Sequence, residues 1–163
     1  RTAPLFVSRI EDNEGNVIAT FQPRMNEVIS AESANKMLVL LQGVVDGGTA
    51  GRLRYKYNFE GEIGGKTGTT NNNSDAWFIG FTPQLVSGVW VGGEDRDIHF
   101  DNMAMGQGAT MALPIWAYFM RKVYNDRTLG YSSKVKFDLP DGFDPCKNQD
   151  NDSSSNQIDE VYE

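Results

Sequence analysis

The sequence has little of what nucleic-acid-binding, membrane-spanning and disulfide-linked proteins require. One cysteine among 163 residues excludes an internal disulfide. The net charge of −7, with no cluster of lysine or arginine, argues against nucleic acid and against an anionic membrane surface as partners. No apolar run approaches the ~20 residues that a membrane-spanning helix needs. With 39% hydrophobic residues, the chain is still long enough to form one folded core.

The chain also lacks an initiator methionine, and it begins at Arg1 in the middle of a residue pattern. We therefore expect it to be a piece of a longer protein.

Hydrophobic periodicity and turn residues predict an α+β fold, in which an antiparallel sheet is flanked by helices. Short turn-rich connections between the strand-like runs indicate antiparallel neighbours. Residues 144–163 are dominated by Asp, Asn, Ser and Gln, which predicts a disordered polar tail after a folded part over residues 1–143. The predicted elements are a hairpin over residues 5–21, a helix over 31–46, three strands within 63–91 and a helix over 110–124.

The apolar runs around Trp77 and Trp90 are continuous rather than alternating, which predicts a sheet covered on both faces. We accordingly interpret Trp77, Trp90 and Trp116 as core residues rather than as a stack for a planar ligand. Trp77 is also close enough in sequence to Lys66 to form the wall of a groove there.

The segment Lys66-Thr67-Gly68-Thr69-Thr70, preceded by two glycines, is the strongest candidate for chemistry. On a strand, Lys66 and Gly68 point to one face while Thr67 and Thr69 point to the other. An ammonium group beside threonine hydroxyls suits the binding of a carboxylate, and a free N–H near Thr69 could serve an oxyanion hole. The simplest alternative is an edge strand with an exposed lysine and surface threonines.

Two other kinds of site are weaker. Gly65-Lys66-Thr67 resembles the end of a phosphate-binding loop, but Glu60 stands where that motif needs glycine, and a strand follows instead of a helix. The alternating acidic residues around His99 lack the spacing of a metal site, so we interpret residues 95–101 as a solvated acidic loop. The sequence predicts neither a metal nor a cofactor.

Several longer segments reproduce the pattern of one family. They are Gly64-Gly65-Lys66-Thr67-Gly68-Thr69-Thr70, Asp75-Ala76-Trp77-Phe78-Ile79-Gly80-Phe81-Thr82-Pro83 and Val89-Trp90-Val91-Gly92. From about Leu5 to Phe143, the chain resembles the C-terminal half of the transpeptidase domain of class A penicillin-binding proteins, the bifunctional peptidoglycan synthases. The resemblance implies a partial lobe of the penicillin-binding and serine β-lactamase-like fold.

The resemblance also implies roles for individual residues. Lys66 and Thr69 would be catalytic, Lys66 by tuning electrostatics and proton transfer, and Thr69 through a backbone N–H of the oxyanion hole. Thr67, Gly68, Thr69 and Trp77 would bind the substrate, which is the D-Ala-D-Ala stem peptide of peptidoglycan or a β-lactam. The implied enzyme is a serine-type D,D-transpeptidase that cross-links the bacterial cell wall.

The family's nucleophile lies in Ser-x-x-Lys, and a second element is Ser-x-Asn, both well upstream of Lys-Thr-Gly. Ser33 and Lys36 match the first by spelling, but they lie on the helix that leads into the sheet, so we interpret the match as coincidence. We expect this chain alone to be inactive and to need the missing N-terminal half of its domain.

The glycosyltransferase domain and the membrane anchor of such synthases have no counterpart in the sequence. Through that absent anchor, the protein is expected at the outer face of the inner membrane, in the periplasm. The alternative function is a non-catalytic sensor or interaction module of the same fold that binds β-lactams or peptides. A β-lactamase is a third and lesser possibility.

Overall fold

The computed structural model describes residues 2–146. Its β-strands are β1 (Arg9–Glu11), β2 (Val17–Thr20), β3 (Gly64–Thr69), β4 (Asp75–Phe81) and β5 (Val86–Gly92). Its helices are α1 (Ala31–Asp46), α2 (Arg52–Tyr55), α3 (Met103–Gly106) and α4 (Ala112–Asn125), with 3-10 turns at Asn71–Asn73 and Arg127–Leu129. The fold is α+β with antiparallel sheets, as predicted. The predicted disordered tail lies outside the described residues from 147 onward.

The N-terminal hairpin forms because Asp12 closes its turn. The Asp12 carboxylate accepts the backbone N–H of Glu14 at 2.9 Å and that of Asn16 at 2.8 Å. Gly15 follows with a φ of 86°, which favours glycine. The two paired segments, β1 and β2, are shorter than the predicted span of 5–21, and their strand residues are mostly exposed.

Helix α1 has the predicted bounds of 31–46 because both of its ends carry specific signals. The Ser30 hydroxyl caps the N-terminus by accepting the Ser33 N–H at 3.1 Å. At the other end, Gly47 donates its N–H to Gly43. Helical spacing predicts one buried stripe, made of Met37, Leu40, Leu41, Val44 and Val45. This prediction is correct only near the C-terminus of the helix, where Val45 is fully buried. Leu40, five residues earlier, is 63% exposed.

The central sheet has the strand order β3-β4-β5, antiparallel throughout. In its register, Thr67 lies opposite Phe78, Lys66 opposite Ile79, and Gly68 opposite Trp77. Helix α4 packs across β4 and β5, and α1 lies beside β3. This arrangement confirms the predicted sheet with flanking helices.

The core lies between the sheet and α4. Trp116 is fully buried, and its ring meets that of Phe78 edge-on, with centroids 5.4 Å apart. Gly80 makes room for this contact, since a Cβ there would lie 2.6 Å from the indole. Pro114 sits in the first turn of α4, where the missing N–H costs nothing. The prediction that Trp116 is a core residue is confirmed.

The prediction was wrong for the other two tryptophans. Trp77 and Trp90 are 45% and 48% exposed, and Ile79 is 47% exposed. The reason is strand alternation, which sends Phe78 toward α4 and its neighbours to the opposite face. Within residues 2–146, the sheet is therefore not covered on both faces. In the same part of the chain, no helix combines the length and apolar character that crossing a bilayer requires.

Candidate functional site

The Lys-Thr-Gly segment forms β3, and among the described residues only β4 pairs with it. At the end of this ladder, the Thr70 N–H donates to the Asp75 carbonyl at 3.0 Å. Antiparallel partners alternate between hydrogen-bonded and non-hydrogen-bonded pairs, so the Thr69 and Thr67 backbones belong to non-hydrogen-bonded pairs. Their N–H and C=O groups therefore point away from β4, toward the open edge of β3.

Lys66 lies at this open edge. Its side chain is exposed and folds back along the strand, so that Nζ donates to the Thr67 carbonyl at 2.7 Å. The ammonium is therefore held on the same edge toward which the Thr69 N–H points. A positive charge and a free-edge N–H side by side form a site for an anionic or polarised oxygen.

The two threonine hydroxyls of β3 are each held by a different loop. The Thr67 hydroxyl lies 2.8 Å from that of Thr49, in the loop between α1 and α2. The Thr69 hydroxyl accepts the N–H of Gly108 at 3.2 Å, in the loop before α4. Because a hydroxyl has one hydrogen and two lone pairs, Thr69 keeps its own O–H to donate. Both hydroxyls can thus donate to a carboxylate.

Gly108 must be glycine for this loop to reach the strand. A Cβ at this position would lie 2.3 Å from the Trp77 carbonyl oxygen and 2.6 Å from that of Gly68. The backbone of the loop therefore lies directly over the β3–β4 ladder. Sequence reasoning missed Gly108, since residues 94–108 carry only the signs of a loop.

Gly68 and Trp77 complete the predicted set. They are register partners, and a Cβ on Gly68 would lie 3.1 Å from the Trp77 Cβ. Glycine therefore lets the Trp77 side chain lie close against β3, on the face that also carries Lys66. The structure brings all five predicted residues together on or beside one strand, with Lys66 and Trp77 on one face and the threonines on the other.

The turn after β3 is closed by the Asp75 carboxylate. Asp75 accepts the Trp90 indole N–H at 2.9 Å, the Ser74 hydroxyl at 3.1 Å and the Thr70 hydroxyl at 3.2 Å. The hydrogen bond from Trp90, followed by those from Ser74 and Thr70, lowers the pKa of Asp75 below its ordinary value of 3.8. This network holds the end of β3 at which Thr69 lies.

We expect Asp75→Asn to flatten the dependence of the melting temperature on pH. A folded-state pKa below the unfolded value stabilises the fold above about pH 4, and this contribution is lost as the pH falls through the folded-state pKa. The variant should be less stable than the parent at pH 7, and the two should converge at acid pH, below the folded-state pKa of Asp75. Circular dichroism melts across this range measure the effect, with the exposed Asp141→Asn as control. Parallel curves for the parent and Asp75→Asn would contradict the role of the carboxylate.

The serine and lysine that match Ser-x-x-Lys by spelling have local partners on α1. The Ser33 hydroxyl lies 3.0 Å from that of Ser30, and the Lys36 ammonium is 2.7 Å from the Glu32 carboxylate, one turn earlier. These are the contacts of an ordinary polar helix face.

The acidic loop over residues 95–101 is exposed at each of its aspartates and at His99. The described part of the chain brings together no group of three or more His, Cys, Asp or Glu side chains suited to a metal. Ile98, His99 and Phe100 of this loop line a cavity of about 320 Å³, together with residues of β4 and β5 such as Ala76 and Val91. The cavity includes none of the predicted site residues.

Comparisons with known proteins identify the family to which the chain is similar. The sequence profile of the penicillin binding protein transpeptidase domain matches residues 1–94. The chain is 37% identical over 120 residues to penicillin-binding protein 1A of Aquifex aeolicus, covering 74% of this chain and 16% of that protein. It is 35% identical over 157 residues to penicillin-binding protein 1A of Neisseria lactamica, covering 87% of this chain and 17% of that protein.

The fold has a solved counterpart as well. The crystal structure of penicillin-binding protein 1A from Haemophilus influenzae superposes with a TM-score of 0.65 at 25% identity, covering 86% of this chain and 25% of that one. The chain belongs to the penicillin-binding protein transpeptidase family. It spans about a sixth of the length of the Aquifex and Neisseria relatives.

Proposed function

We propose that this chain supplies the carboxylate-binding and oxyanion-binding wall of a peptidoglycan D,D-transpeptidase. The observation that carries the proposal is the open edge of β3, where the Lys66 ammonium lies beside the outward-pointing Thr69 N–H. Membership of the transpeptidase family supports the reaction class. The nucleophilic serine belongs to the other half of the domain, outside this sequence.

The substrate would be an acyl donor with a terminal carboxylate, such as the D-Ala-D-Ala end of a stem peptide. Hydroxyls of Thr67 and Thr69 donate to that carboxylate, and bonds to a charged group contribute about 1.5–3 kcal/mol each. The Thr69 N–H would face the carbonyl oxygen under attack, where such a donor lowers the barrier by about 2.7–4 kcal/mol. Lys66 would stabilise the developing charge and assist proton transfer to the leaving group.

A β-lactam presents the same two groups, a carboxylate and a reactive carbonyl, and would therefore occupy the same wall. The acyl group of the stem peptide passes from serine to an amine of a neighbouring strand, whereas the opened β-lactam stays on the serine. Because the substrate is the cell wall, the site would face the periplasm at the outer surface of the inner membrane.

The missing half of the domain would cover the exposed face of the sheet. Trp77, Ile79 and Trp90 are half-exposed on that face, and together they present a large apolar surface. In the described residues, β5 pairs with β4 alone and offers its second edge to a further strand. Both features fit a lobe that packs against the remainder of a transpeptidase domain.

The proposal is tested by incubating two proteins with a fluorescent penicillin and weighing each of them intact. We expect the 163-residue chain to gain no adduct and the complete transpeptidase domain to gain a stoichiometric acyl group. In the complete domain, Thr67→Val should slow acylation about tenfold or more, because a charge-assisted bond is lost. The exposed Thr20→Val, on β2, is the matched control.

Other outcomes separate the alternatives. An adduct on the isolated chain that is lost in Ser33→Ala would show that Ser33 is a nucleophile after all. A complete domain that binds penicillin reversibly without an adduct would instead support a sensor or interaction module.

A further inference from the structure

The hydroxyl of Thr49 is the direct partner of the Thr67 hydroxyl, at 2.8 Å. Thr49 lies 18 residues before Thr67, in the loop that joins α1 to α2, and its side chain is exposed. This contact joins the Lys-Thr-Gly strand to a residue outside the strand. The proposed function gives Thr49 no part in binding or catalysis.

The loop that carries Thr49 is fixed by its backbone. A Cβ at Gly48 would lie 2.8 Å from the Val44 Cα, so this tight turn requires glycine. The next residue, Ala50, is fully buried, and its N–H donates to the Val44 carbonyl at 2.9 Å. The Gly51 N–H donates to the Gly48 carbonyl at 3.0 Å. Thr49 is thus held between two anchored neighbours, and its hydroxyl has a defined position.

Each of the two hydroxyls has only one hydrogen to donate, which determines the direction of the hydrogen bond between them. Without a ligand, either hydroxyl can donate to the other. Once Thr67 donates its single hydrogen to a bound carboxylate, Thr67 can only accept from Thr49, so the proton of Thr49 must point toward Thr67. Hydrogen bonds arranged in such a chain strengthen one another.

We propose that Thr49 is a positioning residue for carboxylate recognition, which fixes the Thr67 hydroxyl as a donor toward the ligand. This inference rests on the proposed function, in which Thr67 binds the substrate carboxylate. The role is specific to ligands with an anionic acceptor, because a charged oxygen gains most from an oriented and polarised donor. The loop after α1 lies outside the Lys-Thr-Gly motif, and this proposal assigns it a role in binding the substrate.

The test compares benzylpenicillin with its methyl ester on the complete transpeptidase domain. Thr49→Val keeps the shape of the side chain and removes the hydroxyl, so acylation by benzylpenicillin should slow by about three- to tenfold, the worth of one ordinary hydrogen bond. The loss should appear in the concentration of half-saturation rather than in the limiting rate. The methyl ester should lose less than about half of that effect, because it lacks the charge. Thr49→Ser should restore the parent values.

Each outcome decides a distinct point. Parent-like acylation by Thr49→Val, or an equal loss with both ligands, overturns the role of Thr49 while leaving the proposed function intact. A parent domain that benzylpenicillin does not acylate overturns the proposed function and this inference with it. Melting temperatures identify a variant that fails to fold, and Thr49→Ala then replaces Thr49→Val. Thr20→Val serves as the threonine control.

Discussion

Replacing Trp116 with alanine is expected to lower the free energy of unfolding by about 3–5 kcal/mol, the usual range for deletion of a large buried ring. The indole is fully buried, with its centroid 5.4 Å from that of Phe78 and 6.0 Å from that of Phe59. On the side of the sheet, the indole lies against Gly80, which has no side chain of its own to fill the space left behind. Urea unfolding of the chain measures the loss, and the fluorescence of Trp77 and Trp90 still reports the transition.

A second substitution separates packing from polarity at the same position. Among the described residues, the buried Trp116 Nε1 has no hydrogen-bond partner. Trp116→Phe removes this unpaired donor and keeps an aromatic ring, so it should cost far less than Trp116→Ala. An unpaired buried polar group itself costs about 1–3 kcal/mol, which offsets part of the lost packing. Trp77→Ala is the control, because Trp77 is half-exposed. If Trp77→Ala lowered the free energy of unfolding as much as Trp116→Ala, this account of the core would be contradicted.

The elements that sequence reasoning predicted best have signals encoded locally. The predicted bounds of α1 are correct, and its two ends carry local signals, the Ser30 cap and Gly47. Turn residues between the strands gave the antiparallel order of β3, β4 and β5. Such signals depend on residues a few positions apart, so they determine helix ends and turns without contacts from the rest of the fold.

Burial could not be predicted equally well, because it depends on elements distant in the sequence. The apolar run around Trp77 is continuous, yet α4 covers only the face to which Phe78 points. Likewise, Leu40 lies four residues before the partly buried Val44, at helical spacing, but is exposed. Periodicity shows which side chains share a face, and it does not show whether another element covers that face.

In the candidate site, too, the residues encoded locally were predicted and those brought in from distant parts of the sequence were not. The residues of β3 were found because they are adjacent and chemically distinctive. Thr49 and Gly108 contact the strand from 18 and 39 residues away, and no local sequence pattern shows that they reach it. A glycine whose Cβ would collide with the strand backbone can be recognised only from coordinates.

Substituting Lys66 with methionine in the complete transpeptidase domain is expected to slow acylation by benzylpenicillin about 10²- to 10⁴-fold, the usual contribution of a positioned acid or base. The ammonium is held at the open edge of β3 by the Thr67 carbonyl, at 2.7 Å, on the edge that presents the Thr69 N–H. Methionine keeps the unbranched apolar stem of the side chain and removes the charge and the proton.

Lys66→Arg divides the two roles that the ammonium would play, because arginine keeps the positive charge but does not give up its proton in proteins. We expect it to retain reversible binding of benzylpenicillin within a few-fold of the parent, whereas its acylation rate should stay close to that of Lys66→Met. Stopped-flow measurements over a range of penicillin concentrations resolve these two quantities. The exposed Lys136→Met is the matched control. If Lys66→Met were acylated at the parent rate, Lys66 would have no catalytic role, because neither its charge nor its proton would be needed.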